Sequence, residues 1–254
     1  MTSQEEDLAM AVPINTGPSE TQQPTPATPA TPGTSREASP ERKRRNRSTL
    51  MAQKCKIRDN DACVVAKTVE GTQAAHIYPL LGKTPRSREH RFFWKRLSMF
   101  WSAERIERWE RAISGDQGTE TLGNLICLGP MANYLWGQCR FAVKPIELST
   151  DRKSLKVQFF WMPDGKYIKR SLQARPVVPA NTYRSAWGTL LAHDETERFI
   201  RSGDVVTFST QDPDKYPLPS FDLLDMQWAL HRATALSGVA DATDEDLDPD
   251  GGLG

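Results

Sequence analysis

An α+β fold is predicted for this chain on three observations. Residues 154–163, SLKVQFFWMP, put Leu155, Val157, Phe159 and Trp161 at every second position, the period of a strand with one buried face. Residues 90–114 place Phe93, Leu97 and Phe100, and then Ile106, Trp109 and Ile113, at helical spacing. Short apolar runs between turn residues, CVVAK at 63–67 and GNLICLGP at 123–130, supply further strand-like material.

Taken in order, residues 1–48 are rich in Thr, Pro, Ser and Ala, a composition that buries too little apolar area to offset chain entropy, and they are expected to be disordered. This segment ends in a basic cluster, Arg42, Lys43, Arg44, Arg45 and Arg47, which suits a nuclear-import signal, a phosphate-binding arm or a plain solvated charge run. The folded part is expected from about Ala52 to Gly238. CVVAK predicts a first strand, Glu70-Gly71 a turn, and TQAAHIYPL (72–80) a second strand stopped by Pro79, together a hairpin. Two short helices or one broken helix follow over 90–114, with Ser102 as a cap in the middle and Gly115, Asp116 and Gly118 as the stop. MANYLWGQC (131–139) predicts one or two helical turns ending near Gly137, and DVVTFST (204–210) another strand. Pro219-Ser220 opens a last helix with Ser220 as N-cap and Phe221, Leu224, Trp228 and Leu236 as its buried stripe. Residues 239–254 hold Asp241, Asp244, Glu245, Asp246, Asp248 and Asp250 and are expected to form an acidic disordered tail.

Composition excludes several classes. The 33 basic and 32 acidic side chains nearly cancel, so the chain as a whole is neither a polycation nor a polyanion. Seven Trp, nine Phe and five Tyr are ample for a core, since each aromatic buries about 150–250 Å². No run approaches the roughly 18 apolar residues of a membrane span, and MTSQEEDLAM lacks the apolar stretch of a secretory signal. Four Cys do not make a disulfide scaffold, so an intracellular place, nuclear or cytoplasmic, with reduced thiols is expected. Cys55, Cys63, Cys127 and Cys139 contain no C-x-x-C pair that would brace a zinc site.

Of the four His, His76 stands apart by its setting, Ala74-Ala75-His76-Ile77-Tyr78-Pro79 on a predicted strand. Downstream come Asn124, in GNLICL, and Asn133 nine positions later. These pieces, in order with CVVAKTVEGTQAAHIYPL, HRFFWKRLSMFWSAERIERW, GNLICLGPMANYLWGQCRFAVKPIEL and LPSFDLLDMQWALHRATALSG, resemble the HNH endonucleases, the ββα-metal or His-Me finger family, and most closely a group of HNH-domain proteins abundant in fungi. The resemblance covers about residues 55–238. It implies a ββα-metal core over 52–148 with a helical insertion, and a C-terminal strand and helix extension over 149–238 packed on it.

The resemblance also implies a chemistry: metal-dependent hydrolysis of nucleic-acid phosphodiesters. In it His76 is the general base that takes a proton from the attacking water. Asn124 orients the loop and the imidazole, so that its replacement is expected to cost activity more than stability. Asn133 stands where the family carries a metal-ligating His, making this chain His-Asn-Asn; an amide oxygen suits a hard ion such as Mg²⁺ or Mn²⁺. Ala75 stands where many members place a further metal ligand, and Asp59, Asp61, Glu70 and Glu120 are the carboxylates that remain as replacements. From Lys54 to Lys144 there are 15 basic against 9 acidic residues. Lys83, Arg86, Arg88, Arg91, Lys95 and Arg96 cluster as candidate contacts to a nucleic-acid partner, DNA before RNA. The alternative on the same residues is a catalytically lapsed HNH fold kept as a nucleic-acid- or protein-binding module.

Overall fold

A computed structural model describes residues 40–78, 88–113, 119–163 and 182–237 of the chain. The elements are α1 (Pro40–Arg58), β1 (Gln73–His76), α2 (Arg88–Leu97), α3 (Ala103–Ile113), a 3₁₀ turn (Leu122–Asn124), β2 (Leu125–Leu128), α4 (Pro130–Gly137), β3 (Phe141–Leu148), β4 (Ser154–Trp161), β5 (Ala192–His193), β6 (Arg198–Phe199), β7 (Val205–Ser209) and α5 (Phe221–Ser237). Three antiparallel sheets result: β1 with β2, β3-β4-β7, and β5 with β6. Mixed helices and small antiparallel sheets make the α+β class.

The alternation in residues 154–163 is the feature best expressed in three dimensions. Leu155, Val157, Phe159 and Trp161 are all fully buried on β4, the central strand of its sheet. Phe159 stacks on Phe141 of β3 with centroids 5.0 Å apart and meets Trp161 edge-on at 5.0 Å. The Trp161 indole N–H, which burial would otherwise strand, donates to the Ile200 carbonyl at 2.9 Å. Strand β3, which the hydrophobic pattern does not announce, is an edge strand containing Pro145, and its register slips between Pro145 and Glu147. A residue without an N–H is tolerated at an edge, and the extra residue, Ile146, bulges out to solvent.

Several expectations need correction. Residues 40–48 are not part of a disordered tail: α1 begins at Pro40, with proline at the helix start where its missing N–H costs nothing, and continues through helix-forming Arg, Lys, Met and Gln. The expectations for residues 1–39 and 239–254 lie outside the described residues. CVVAK is not a strand. Lys67 sits at φ 60, its N–H bonds back to Cys63 O at 2.8 Å, and Cys63 N–H bonds to Thr68 O at 2.8 Å, so the segment is a buried tight turn. The two valines are buried as core residues, and the partner of β1 is β2, some 50 residues downstream, rather than residues 63–67. On α2 the buried positions are Trp94 and Leu97, with Phe93 half-buried, while Phe100 is 75% exposed. On α5 Phe221 is exposed; Leu223, Leu224 and Met226 are the fully buried positions, and Trp228 is half-buried against Phe160.

Other expectations stand. The helical stretch at 90–114 is broken into α2 and α3, and the carbonyl of Ser102 accepts the N–H groups of Arg105 and Ile106 at 3.1 Å each. Ile106, Trp109 and Ile113 are buried. The Ser220 hydroxyl caps α5 by accepting the Leu223 N–H at 3.3 Å. One continuous apolar core runs from Cys55 to Ala229, through both the predicted core segment and the predicted extension.

Two buried polar groups organise this core. Helix α1 ends in a Schellman turn: Asn60 takes the left-handed conformation at φ 56, Asp61 N–H bonds to Lys56 O at 2.7 Å, and Asn60 N–H bonds to Ile57 O at 3.3 Å. Just inside that turn, Arg58 is 4% exposed. It donates through Nε (2.7 Å) and Nη2 (2.8 Å) to the Asp59 carboxylate and through its other N–H groups to the carbonyls of Leu122 (3.0 Å), Pro217 (3.1 Å) and Leu125 (2.7 Å). Removing Asp59 as Asp59→Ala leaves this guanidinium without its countercharge and should cost about 3–5 kcal/mol of stability by urea unfolding.

The second group is His231 on α5, 3% exposed, with Nδ1 2.9 Å from the Phe141 carbonyl and Nε2 against the Gln227 amide. Burial pushes its imidazole down to about 4, with the Phe141 carbonyl opposing the shift. The folded state therefore holds this ring neutral while the unfolded chain takes up a proton below about 6.5. Its stabilisation is complete above that value and is lost as pH falls from about 6.5 towards 4, by roughly 3 kcal/mol. Unfolding curves at pH 7, 5.5 and 4 should show that loss, and His231→Leu should flatten it.

Candidate functional site

Strands β1 and β2 are only four residues each, so neither would hold a register alone. They are held because β2 is buried at all four positions and because Asn124 extends the pairing beyond the strand end. In the ladder Gln73 faces Leu128, Ala74 faces Cys127, Ala75 faces Ile126 and His76 faces Leu125. One step further, Ile77 N–H donates to the Asn124 carbonyl at 2.9 Å. The Asn124 side chain then acts as a strand in miniature: Oδ1 accepts the Tyr78 N–H at 2.8 Å and Nδ2 donates to the Tyr78 carbonyl at 3.0 Å. The remaining Nδ2 proton goes to the Thr119 carbonyl at 2.9 Å. Asn124 is 1% exposed, so the whole amide is committed inside the protein.

This arrangement puts His76 at the end of β1 with its side chain 27% exposed. Its Nε2 is buried and stands 3.3 Å from Oε1 of Glu120, the residue after Thr119. The separation is that of an ion pair, but the two groups are not aligned as a hydrogen bond, and neither Glu120 oxygen has another hydrogen-bond partner among the described residues. Of the four carboxylates left open by the sequence, Glu120 is thus the one beside His76. Both oxygens of Asp59 are taken, by Arg58 and by the Cys127 N–H at 2.9 Å, while Asp61 and Glu70 are exposed.

Helix α4 closes the site from the other side. Gly129 precedes it because a Cβ there would stand 2.8 Å from the Thr68 hydroxyl, and Pro130 supplies the preset φ of the first helical position. From this helix Trp136 donates its indole N–H to the His76 carbonyl at 3.2 Å. Asn133, three residues earlier, donates its amide to the Gln73 side-chain oxygen at 2.6 Å. Of the residues expected from sequence, His76 ends β1, Asn124 ends the 3₁₀ turn before β2, and Asn133 stands on α4. Sequence reasoning does not single out Glu120 or Trp136. The Asn124 amide grips Tyr78 and Thr119, and the group facing the imidazole is Glu120.

Of the predicted phosphate contacts, Arg91, Lys95 and Arg96 are exposed on α2. Lys83 and Arg86 lie outside the described residues, and Arg88 opens α2 with its side chain outside them. The cysteines take no part: Cys55, Cys63 and Cys127 are buried free thiols, and Cys139 is half-buried. Burial pushes Cys55 upward and both Cys127 and Cys139 up to about 11, which keeps them protonated and unreactive at neutral pH.

A divalent ion of the kind the resemblance implies finds a poor seat. Ala75 is a buried methyl in the position before His76. The Asn133 amide is engaged with Gln73, leaving one neutral oxygen. Among the described residues no group of three or more His, Cys, Asp or Glu could hold a metal ion. The residues present do not fit a protein-held ion at the family's place.

Residues 55–144 match a family model described as HNH endonuclease. The match spans His76, Asn124 and Asn133 and supports an HNH domain in this segment, with the nuclease-like, nucleic-acid-directed function and the general use of a divalent metal that such domains have. No curated protein and no solved structure matches the chain. No helix among the described residues is long and apolar enough to cross a membrane.

The geometry of Asn124 adds a stability cost to the activity loss expected from sequence. With three hydrogen bonds at about 1 kcal/mol each, and their partners left unsatisfied, Asn124→Ala should cost roughly 3 kcal/mol or more of stability. Urea unfolding of the variant should show a clearly lowered midpoint, so that any loss of activity comes with a loss of fold.

Proposed function

We propose that residues 55–144 form an HNH-type core of ββα-metal form, within the group best represented in fungi, that hydrolyses phosphodiester bonds of nucleic acid with His76 as general base. The single observation carrying this reading is that His76 sits at the end of a clamped strand, beside a carboxylate, inside the segment that matches the HNH model. The order β1, β2, α4 around it supports the ββα reading. In the reaction the imidazole takes a proton from water as the water oxygen bonds to phosphorus. The bond from phosphorus to the leaving ester oxygen breaks, that oxygen takes a proton from solvent, and the imidazolium returns its proton to solvent. Asn124 acts in this scheme by holding the strand end that bears the base. Arg91, Lys95 and Arg96 are the exposed cations available to phosphates, and DNA is the proposed partner. Such a substrate goes with an intracellular place, nuclear or cytoplasmic.

A second reading is favoured by a specific observation: Ala75 and the Asn133–Gln73 pair stand where metal ligands would be. On that reading the fold binds nucleic acid without cutting it. One experiment separates the two. Supercoiled plasmid is incubated with the full chain and Mg²⁺ or Mn²⁺, alongside His76→Ala and Asn133→His. Nicking by the parent that falls by on the order of 10²-fold or more in His76→Ala is the expected result. Asn133→His should raise nicking at low Mn²⁺, because imidazole suits that ion better than an amide does. Salt-sensitive plasmid binding with no nicking by any of the three leaves the binding module.

A further inference from the structure

Among the described residues, Glu120 is a carboxylate with one answering group. The residue is 6% exposed, both its oxygens lack a hydrogen-bond partner there, and the titratable group against it is His76, whose Nε2 is itself without one. A buried carboxyl group needs a hydrogen-bonding or charged partner, and the group at hand is the His76 imidazole. Its position is not an accident of a loose loop: the carbonyl of Thr119, the preceding residue, is held by Asn124 Nδ2 at 2.9 Å. The same amide holds Tyr78, two residues after His76, through two further bonds. One buried side chain therefore fixes the spacing between the segment carrying His76 and the segment carrying Glu120.

We propose that Glu120 is the positioning residue of His76. Its carboxylate accepts the Nε2–H, fixes the tautomer in which Nδ1 carries the lone pair, and stabilises the imidazolium that forms when Nδ1 takes a proton from water. A small rotation of ring or carboxylate turns the 3.3 Å contact into a hydrogen bond, and such bonds are often long or poorly aligned before substrate is present. The His76 side chain is 27% exposed while its Nε2 is buried, so the proposal assigns the reaction with water to Nδ1. The catalytic role rests on the reading of His76 as a base; the pairing of the two side chains does not.

The test uses the full chain labelled with ¹⁵N-histidine, with His76→Gln to assign its signals among the four histidines. At neutral pH a His76 imidazole proton should reside on Nε2 and exchange slowly with water. It should be lost in Glu120→Leu, which conserves volume, and in Glu120→Ala, with circular dichroism reporting the fold of each. Where the parent nicks plasmid, Glu120→Leu should lower kcat on the order of ten- to a hundredfold at unchanged KM, less than loss of the base itself. In a His76→Ala background the same change should have no further effect. A parent proton on Nδ1, a slow proton that survives in a folded Glu120 variant, or kcat losses that multiply would each overturn the proposal. A parent that never nicks removes the nuclease reading, and the resonance experiment alone then decides whether Glu120 positions His76.

Discussion

The Arg58 guanidinium is the constraint on which the site depends. It reaches from the end of α1 to carbonyls on both sides of Asn124, Leu122 at 3.0 Å and Leu125 at 2.7 Å, and to Pro217 at 3.1 Å ahead of α5. Asp59 neutralises it and in turn accepts the Cys127 N–H of β2 at 2.9 Å. The Gly123 carbonyl, between those two grip points, accepts the Ser220 N–H at 2.8 Å. The 3₁₀ turn bearing Asn124 is therefore pinned from α1 and from the start of α5. Replacing such a buried charge cluster by apolar residues often preserves stability; what it supplies here is a directional hold on three carbonyls, which an apolar contact does not give.

What was legible in the sequence follows from the range of the forces involved. The period of β4, the break between α2 and α3, and the Ser220 cap are set by residues within a turn or a strand of one another, and each is visible in composition and spacing. CVVAK misleads for the same reason. Its β-branched residues satisfy the local preference for a strand, while the left-handed Lys67 and the bond from Val64 N–H to Cys127 O turn it into a buried corner. The pairing of β1 with β2 across a helical insertion, and the choice of Glu120 over three other carboxylates, depend on contacts between distant segments. Glu120 lies four residues before Asn124 in TETLGN, and nothing in that string marks its side chain as buried. Helix α1 was hidden for another reason: its first turns follow directly on a Pro- and Thr-rich stretch whose composition masks them.

The two halves of the proposed site are built unequally. Around His76, every backbone group that fixes its strand end is bonded: Ile77 and Tyr78 by Asn124, and the His76 carbonyl by Trp136. Around the metal position, the side chains are a buried methyl at Ala75 and an amide at Asn133 turned to Gln73. The Asn133 amide instead bonds α4 to β1 through Gln73. The Asn124 amide is at once part of the ladder and part of the hold on the His76 strand end.

The C-terminal residues enter the site through packing rather than through ligands. His231 of α5 meets the face or edge of Trp136 with centroids 4.4 Å apart, and Trp136 also packs on Phe141 at 5.4 Å. The indole that holds the His76 carbonyl is thus wedged between Phe141 of β3 and His231 of α5, the latter beyond the segment that matches the HNH model. His231 is itself fixed by the Phe141 carbonyl, so ring, indole and β3 form one closed set of contacts. At the other face of the same helix, Asp225 accepts two bonds from Arg105 (2.8 and 2.6 Å) and one from the Trp109 indole at 3.0 Å, which ties the helical insertion to α5. Helix α5 therefore touches the turn before β2 through the Ser220 N–H at its start, the insertion through Asp225, and the base-bearing strand through His231 and Trp136. A fragment ending at residue 144 would keep the matched segment and the Trp136–His76 hydrogen bond but would lose the His231 ring packed on that indole, so the packing behind the His76 carbonyl extends to α5.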